Sequence, residues 1–425
     1  MSNYKQFLVL IWCLVALFQN KATAQAIKVA IQYTPTIGYK LVRGDKPYYV
    51  KGVGGEVFLD EAVQTGANTI RLWGPEHAKT VLDDAQNRGL TVMLGLWMVP
   101  ERHGFDYSDK WACEDQLAQF KSIVNAYKNH PALLLWGVGN EVDLAYSNYD
   151  VWMAVEKIAA MIHTEDPNHP TCVVTAGIDV AEVKLIQKHC PSIDILGVNT
   201  YGDLETLPNQ IKQYGWQKPY LVTEWGPNGH WEVSKTAWGS PIEQTSTEKA
   251  AVFKNRYIHK IASDSFQCMG SFAFLWGQKQ ETTPTWYGLF VDNNKTESVQ
   301  VLETIWRGKQ PENPIVQIQK FSLNGLVPSE NCMTQNGKKI NIQLVTDKPL
   351  NNYQIKWELL PESIYTKSGG DAEIKPEAMA IKIKQLSENS FEMKAPFNSG
   401  AYRLFVYIKD QYKQVAYANF PFMVK

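Results

Sequence analysis

Between about Tyr48 and Lys309 the chain alternates short apolar runs with amphipathic stretches of helical period, and it does so eight times. Strands separated by helices cannot pair as hairpins; they line up in parallel, and a parallel sheet needs helices over its faces. The strand candidates are Tyr49 to Val53, Asn68 to Trp73, Leu90 to Trp97, Ala132 to Val138, Thr171 to Thr175, Ile193 to Asn199, Pro219 to Thr223 and Cys268 to Trp276. Helix candidates include Glu114 to Tyr127, with Leu117, Phe120, Val124 and Tyr127 at helical spacing, and Trp152 to Ile162, with Val155, Ile158 and Ala159 on one face. A third opens on Thr245-Ser246-Thr247-Glu248, a capping box. Eight parallel units in roughly 260 residues have the size of a closed (β/α)8 TIM barrel.

After Pro311 the helical period stops and strand-like alternation takes over, as in Ile340 to Val345, Tyr353 to Leu359, Phe391 to Lys394 and Ala401 to Ile408. Turn signals at Asn336-Gly337 and Gly369-Gly370-Asp371 divide this region, whose length suits an immunoglobulin-like all-β sandwich. The expected organisation is therefore a leader over 1–24, a catalytic barrel over 25–310 and a β-sandwich accessory domain over 311–425, with Pro311 and Pro314 in the linker.

The leader is read from Lys5, the apolar run Phe7 to Phe18 and the Ala22-Thr23-Ala24 cleavage signal, which together form a secretory signal peptide. A secreted or periplasmic mature protein is expected. The run is too short to cross a bilayer, and nothing later approaches the ~20 apolar residues a membrane helix needs. Past the leader the cysteines are Cys113, Cys172, Cys190, Cys268 and Cys332, scattered and without a C-x-x-C pair, so buried thiols are expected rather than a disulfide scaffold.

The reacting groups of such a barrel sit at the C-terminal ends of its strands. Two strands end in glutamate: the fourth in Trp136-Gly-Val-Gly-Asn140-Glu141 and the seventh in Thr223-Glu224-Trp225-Gly226. A carboxylate directly after a buried strand bears a desolvation cost, and the same setting shifts its pKa as acid–base work requires. Either glutamate alone could be half of a structural ion pair with a barrel arginine. Two of them supply what glycoside hydrolysis needs, one carboxyl to protonate the leaving oxygen and one to attack or to activate water.

These motifs resemble the clan of (β/α)8 retaining glycosidases in which an Asn-Glu at the end of strand four carries the acid/base and a Glu ending strand seven is the nucleophile, in particular the barrel domain of glycoside hydrolase family 2 and family 5-like β-glucanases. The resemblance covers about Tyr48 to Lys309 and implies roles residue by residue. Glu141 would be the general acid/base and Glu224 the nucleophile. Asn140 would bond the sugar 2-hydroxyl, Arg71 would keep the nucleophile ionised, and Tyr201 would orient it. Trp276 would form the floor of the subsite for the reacting sugar. Trp225, Trp231 and Trp97 are further candidate sugar contacts, and His103 and Trp111 weaker ones. Glu232 and Glu281, on the polar loops after strands seven and eight, are decoys that could lie near the cleft without doing the chemistry.

A net charge of −1 gives no field to gather nucleic acid. Neither H-x-H nor H-E-x-x-H occurs among the eight histidines, and no P-loop, G-x-S-x-G or dinucleotide fingerprint appears, so no cofactor and no metal are expected. The expected partner is an oligo- or polysaccharide bound by a monomer. Because no cluster of Lys and Arg along the chain marks a uronic-acid pocket, the expected substrate is a neutral β-glucan or its oligosaccharides, cleaved by double displacement. A transglycosylase using the same glutamates and a catalytically silent glycan-binding protein remain open, and the sandwich is expected to brace the barrel.

Overall fold

A computed structural model describes residues 25–363, 367 and 369–425, so the leader read over 1–24 lies outside the described residues. Eight parallel strands close into a barrel: Val50–Gly54, Thr69–Leu72, Thr91–Leu96, Leu133–Val138, Thr171–Ala176, Ile195–Asn199, Tyr220–Trp225 and Cys268–Ala273. Each pairs with its neighbours in chain order, and the eighth returns to the first through Gly270 to Ala273 against Val50 to Val53. Their side chains are buried almost throughout, as expected for strands packed inward on one another and outward on helices. Val50, Met93, Leu135, Cys172, Val174, Leu221 and Phe272 belong to the inner core, so the barrel is packed and not a pore.

No expectation from the sequence covers the residues just before the first barrel strand. The structure has a three-stranded antiparallel sheet there, Val29–Thr34, Gly38–Arg43 and Lys46–Tyr48. Val29 and Leu41 from this sheet join the inner barrel core, and Tyr48 bonds the hydroxyls of Thr69 and Thr91 at the start of two barrel strands, so the sheet closes the end opposite the strand C-termini. The eighth strand ends at Ala273, three residues earlier than its apolar run, which matters for Trp276 below.

The last barrel helix, Glu297–Arg307, stops at Gly308, a left-handed cap of the kind glycine accepts without a Cβ clash. From Ile318 onward the chain forms two four-stranded sheets. One runs Ile318–Leu323, Lys339–Thr346, Ser390–Lys394, Lys384–Ser387; the other Met333–Thr334, Val415–Val424, Gly400–Lys409, Gln354–Pro361. That is the strand order of an immunoglobulin-type sandwich, with a core of its own around Leu344, Phe391, Leu404 and Phe420. It docks on the barrel through polar contacts as well: Tyr417 N–H donates to Ser246 Oγ at 3.0 Å, and Arg403 Nη2 donates to the Pro241 carbonyl at 2.8 Å. All five described cysteines are free thiols, four of them buried. Among the described residues no helix is long and apolar enough to cross a membrane.

Candidate active site

A cleft of about 830 Å3 opens at the C-terminal ends of the barrel strands, and both Glu141 and Glu224 line it. Glu141 follows the fourth strand through Gly139, whose φ of 72° and closeness to Val142, 2.5 Å from where a Cβ would stand, require glycine. Glu141 itself sits at φ 51°, a left-handed conformation uncommon for a side-chain-bearing residue, held by its N–H on the Val174 carbonyl at 2.9 Å. Glu224 lies within the seventh strand. The pairing with the sixth strand slips by one residue there, Val222 facing Val198 and Glu224 facing Asn199, so a bulge at Thr223 turns both Thr223 and Glu224 to the barrel axis.

The two carboxyls sit in opposite electrostatic settings. Glu224 Oε1 accepts from Arg71 Nη1 at 3.0 Å and from the Trp73 indole N–H at 2.7 Å, and its Oε2 accepts from the Tyr201 hydroxyl at 3.0 Å. Three donors, one of them a buried guanidinium, fit the anion. Glu141 accepts one hydrogen bond, from the Asn199 amide at 2.8 Å. Burial and the neighbouring charge of Glu224 push its pKa up to about 7. Two carboxyls whose settings separate in this way can divide the roles of acid and nucleophile.

Arg71 also donates to Asn140 Oδ1 at 2.6 Å, and Asn199 Nδ2 reaches the same oxygen at 3.1 Å. With its oxygen occupied by two donors, Asn140 is left to offer its NH2 to the cleft that it lines. Arg71, Asn140, Asn199, Glu141, Glu224 and Tyr201 are thus one hydrogen-bonded set carried on four strand ends.

The other residues singled out in the sequence fall into three groups. Trp97 and Trp231 line the cleft; Trp231 is 56% exposed and meets Tyr201 edge-on at 5.8 Å. Trp225 and Trp276 do not reach it, which corrects the expectation for both. The bulge at Thr223 sends Trp225 outward, against Phe253 and Tyr257 of the helix layer. Trp276 lies beyond the end of its strand, where its ring packs on Phe290 and its indole N–H donates to the Phe58 carbonyl; Phe274 takes the place at the cleft. His103 and Trp111 are likewise outside the lining: His103 pairs with Asp371 at 3.0 Å, and Trp111 is exposed on the helix Lys110–Tyr127.

Of the decoys, Glu232 accepts the N–H groups of Gly202 and Gly229 at 2.8 and 2.7 Å and ties two loops together. Glu281 is paired with Lys279 at 2.7 Å, and burial raises its pKa. Further residues at the cleft carry no expectation from the sequence: Trp73, which follows Arg71 by two residues and so shares its face, Asn199, and Lys367, Gly369 and Gly370, which line the cleft from the sandwich. No group of three or more His, Cys, Asp or Glu among the described residues is placed to hold a metal ion.

Residues 76–238 match the family model described as glycosyl hydrolases family 2, TIM barrel domain. A β-glucuronidase of Chlorocebus aethiops is 26% identical over 183 residues, which cover 38% of this chain and 26% of that protein, and its Homo sapiens counterpart is 25% identical over the same length. The chain therefore spans about a quarter of the length of the curated relatives it matches. Among solved structures, the β-D-glucuronidase of Dictyoglomus thermophilum superposes with a TM-score of 0.52 at 18% identity, over 67% of this chain and 54% of that one. The Bacteroides uniformis β-glucuronidase gives 0.50 at 14% identity over 93% of this chain and 48% of that one, sandwich region included. The barrel is similar to that of the family 2 glycosyl hydrolases, and the barrel-plus-sandwich architecture is shared with the Bacteroides uniformis structure.

Proposed function

We propose that this chain is a retaining β-glycosidase in which Glu141 is the general acid/base and Glu224 the nucleophile. The observation that carries the proposal is the asymmetry of the pair within one cleft: Glu224 is held by Arg71, Trp73 and Tyr201, whereas Glu141 has one donor and a pKa pushed up to about 7. Protonated Glu141 donates to the leaving oxygen as Glu224 attacks the anomeric carbon, so the glycosidic bond breaks and a glycosyl ester on Glu224 forms. Glu141, now a carboxylate, takes a proton from water, which attacks the same carbon and releases the sugar with its configuration retained. The Asn140 amide faces the cleft where a sugar 2-hydroxyl would accept from it.

Proton NMR of the first anomer formed tests the mechanism: the β-anomer supports it, and initial release of the α-anomer overturns it. Glu141 must be protonated for the first step, so kcat/KM should fall as pH rises through about 7. Azide should restore turnover to Glu141→Ala on an activated aryl glycoside, because that leaving group needs no acid.

For the sugar, we propose a β-glucuronide ahead of the neutral β-glucan expected from the sequence. The named relatives are β-glucuronidases, and folding brings Lys367 of the sandwich to the cleft of the barrel, where its ammonium can balance a uronate; Lys279, also at the cleft, is already paired with Glu281. Comparing 4-nitrophenyl β-D-glucuronide with the β-D-glucoside, followed by β-glucan oligosaccharides, decides between them. Transfer products at high oligosaccharide concentration would mark a transglycosylase with the same two glutamates. The leader over 1–24 supports export, and a mature N-terminus at Gln25 is the expected result of sequencing the secreted protein.

A further inference from the structure

The cleft is not built by the barrel alone. Gly369 and Gly370, in the connection between sandwich strands Gln354–Pro361 and Lys384–Ser387, line it beside barrel residues Leu144, Lys279 and Glu281. Both glycines have left-handed backbones, at φ 66° and 69°. A Cβ on Gly369 would stand 2.7 Å from Arg102 Nη2 and 2.8 Å from Leu144 Cδ2, so this segment lies against the barrel as closely as a bare backbone allows.

Two anionic side chains just behind the glycines fasten the segment to two barrel loops. Asp371 faces His103 at 3.0 Å and Arg102 at 3.5 Å on the loop after the third barrel strand. Glu373 Oε2 accepts the Thr282 N–H at 2.6 Å on the loop after the eighth, and Lys279 Nζ donates to the Gly370 carbonyl at 2.9 Å. Asp371 meets a cation, Arg102, and a histidine ring, Glu373 meets a backbone N–H, and neither Asp371 nor Glu373 lines the cleft. None of these contacts touches Glu141, Glu224 or their hydrogen-bond partners.

We infer that the sandwich supplies a wall of the substrate cleft through Gly369 and Gly370, pinned by Asp371 and Glu373, and that this wall selects what the substrate carries beyond the reacting sugar. The bond that reacts is addressed by the strand-end set on the barrel, and Gly369 and Gly370 lie against none of that set, so the wall acts on the remoter part of a longer substrate. Asp371 and Glu373 are positioning residues in this scheme, acting through the backbone they hold. The inference rests on the glycosidase reading above.

The test uses the full chain and the double variant Asp371→Asn/Glu373→Gln, with an aryl β-glycoside that the wild type cleaves as short substrate and a tetrasaccharide ending in the same sugar as long substrate. KM for the tetrasaccharide should rise about tenfold, as expected for losing charge-assisted bonds that hold a binding surface in place. kcat on the aryl glycoside should change by less than about twofold. The conservative pair Asp371→Glu/Glu373→Asp should recover part of the lost affinity, and melting curves should show each variant folded. Equal losses on both substrates, or none on either, overturn the wall. A wild type that cleaves no β-glycoside overturns the glycosidase reading itself, and the wall with it.

Discussion

Glu224 and Glu243 are both buried glutamates paired with a buried cation, yet one faces the cleft and the other the seam between barrel and sandwich. Glu243 Oε1 accepts from Lys249 Nζ at 2.5 Å and from Thr285 Oγ at 2.8 Å, while Oε2 accepts from Thr283 Oγ and Asn419 Nδ2, each at 2.6 Å. Lys249 spends its remaining donors on the carbonyls of Thr285 and Trp286. Burial alone would raise the Glu243 pKa, but Lys249 and the hydroxyl donors overcome it and hold the carboxyl below its ordinary value. Every direction around this pair is filled. In the cleft, Glu141 has a single protein donor, and Asn140 keeps an amide turned to open space. Both oxygens of Glu243 are engaged by protein donors, whereas Glu141 keeps acceptor capacity open to the cleft.

That contrast can be broken at either end. The largest effect belongs to Glu224→Gln, which should cut kcat on an aryl glycoside on the order of 10^4-fold or more with an unchanged fold by circular dichroism. Lys249→Met should do the reverse: a loss of about 3–5 kcal/mol in denaturant unfolding, from leaving Glu243 buried without its counter-charge, while the folded fraction retains turnover. Arg71→Met should lower kcat about 10^2-fold, because the fixed charge beside Glu224, the proposed nucleophile, is removed while Trp73 and Tyr201 remain. Turnover near wild type in that variant would make the Arg71–Glu224 pair architectural after all.

Glu141→Gln sharpens the contrast through stability. A carboxyl whose folded pKa lies near 7, above its unfolded value, binds its proton more tightly when folded, so its contribution is full at low pH and lost as pH rises through about 7. The glutamine variant lacks that loss and should be more stable than wild type by about 2–3 kcal/mol at pH 8, with most of the gain gone at pH 5. Unchanged relative stability across that range would place the Glu141 pKa in the ordinary carboxylate range. The smallest effect is expected for Trp231→Ala: a rise in KM of a few-fold with little change in kcat, since this exposed ring has a face to offer a sugar and no bond to the reacting carboxyls.

The eight barrel strands were legible because a strand buried on both faces is a continuous apolar run, and the glutamates were legible because each interrupts such a run at its end. Arg71 and Tyr201 could be placed for the same reason. What could not be read was which way a strand-end tryptophan points. A one-residue bulge at Thr223 decides it for Trp225, and an early strand end at Ala273 for Trp276. Pairing slips of this kind depend on the neighbouring strand and leave no periodicity in their own sequence. The wall was hidden for another reason. Gly369-Gly370-Asp371 reads as a turn, and nothing local says that a turn from one domain lies on the cleft of another. Glu243 and Lys249 are six residues apart, but their partners Thr283, Tyr417 and Asn419 come from elsewhere in the chain.

The small sheet beneath the barrel has a consequence for traffic. With Val29 and Leu41 sealed into the inner core and the barrel axis filled by Met93, Leu135 and Phe272, no passage among the described residues leads out behind the two glutamates. On the proposed function, a sugar that reaches them backs out through the doorway it came in by. A long polymer would then not be threaded through the barrel, and each fragment released by the proposed reaction would occupy the entrance until it had gone.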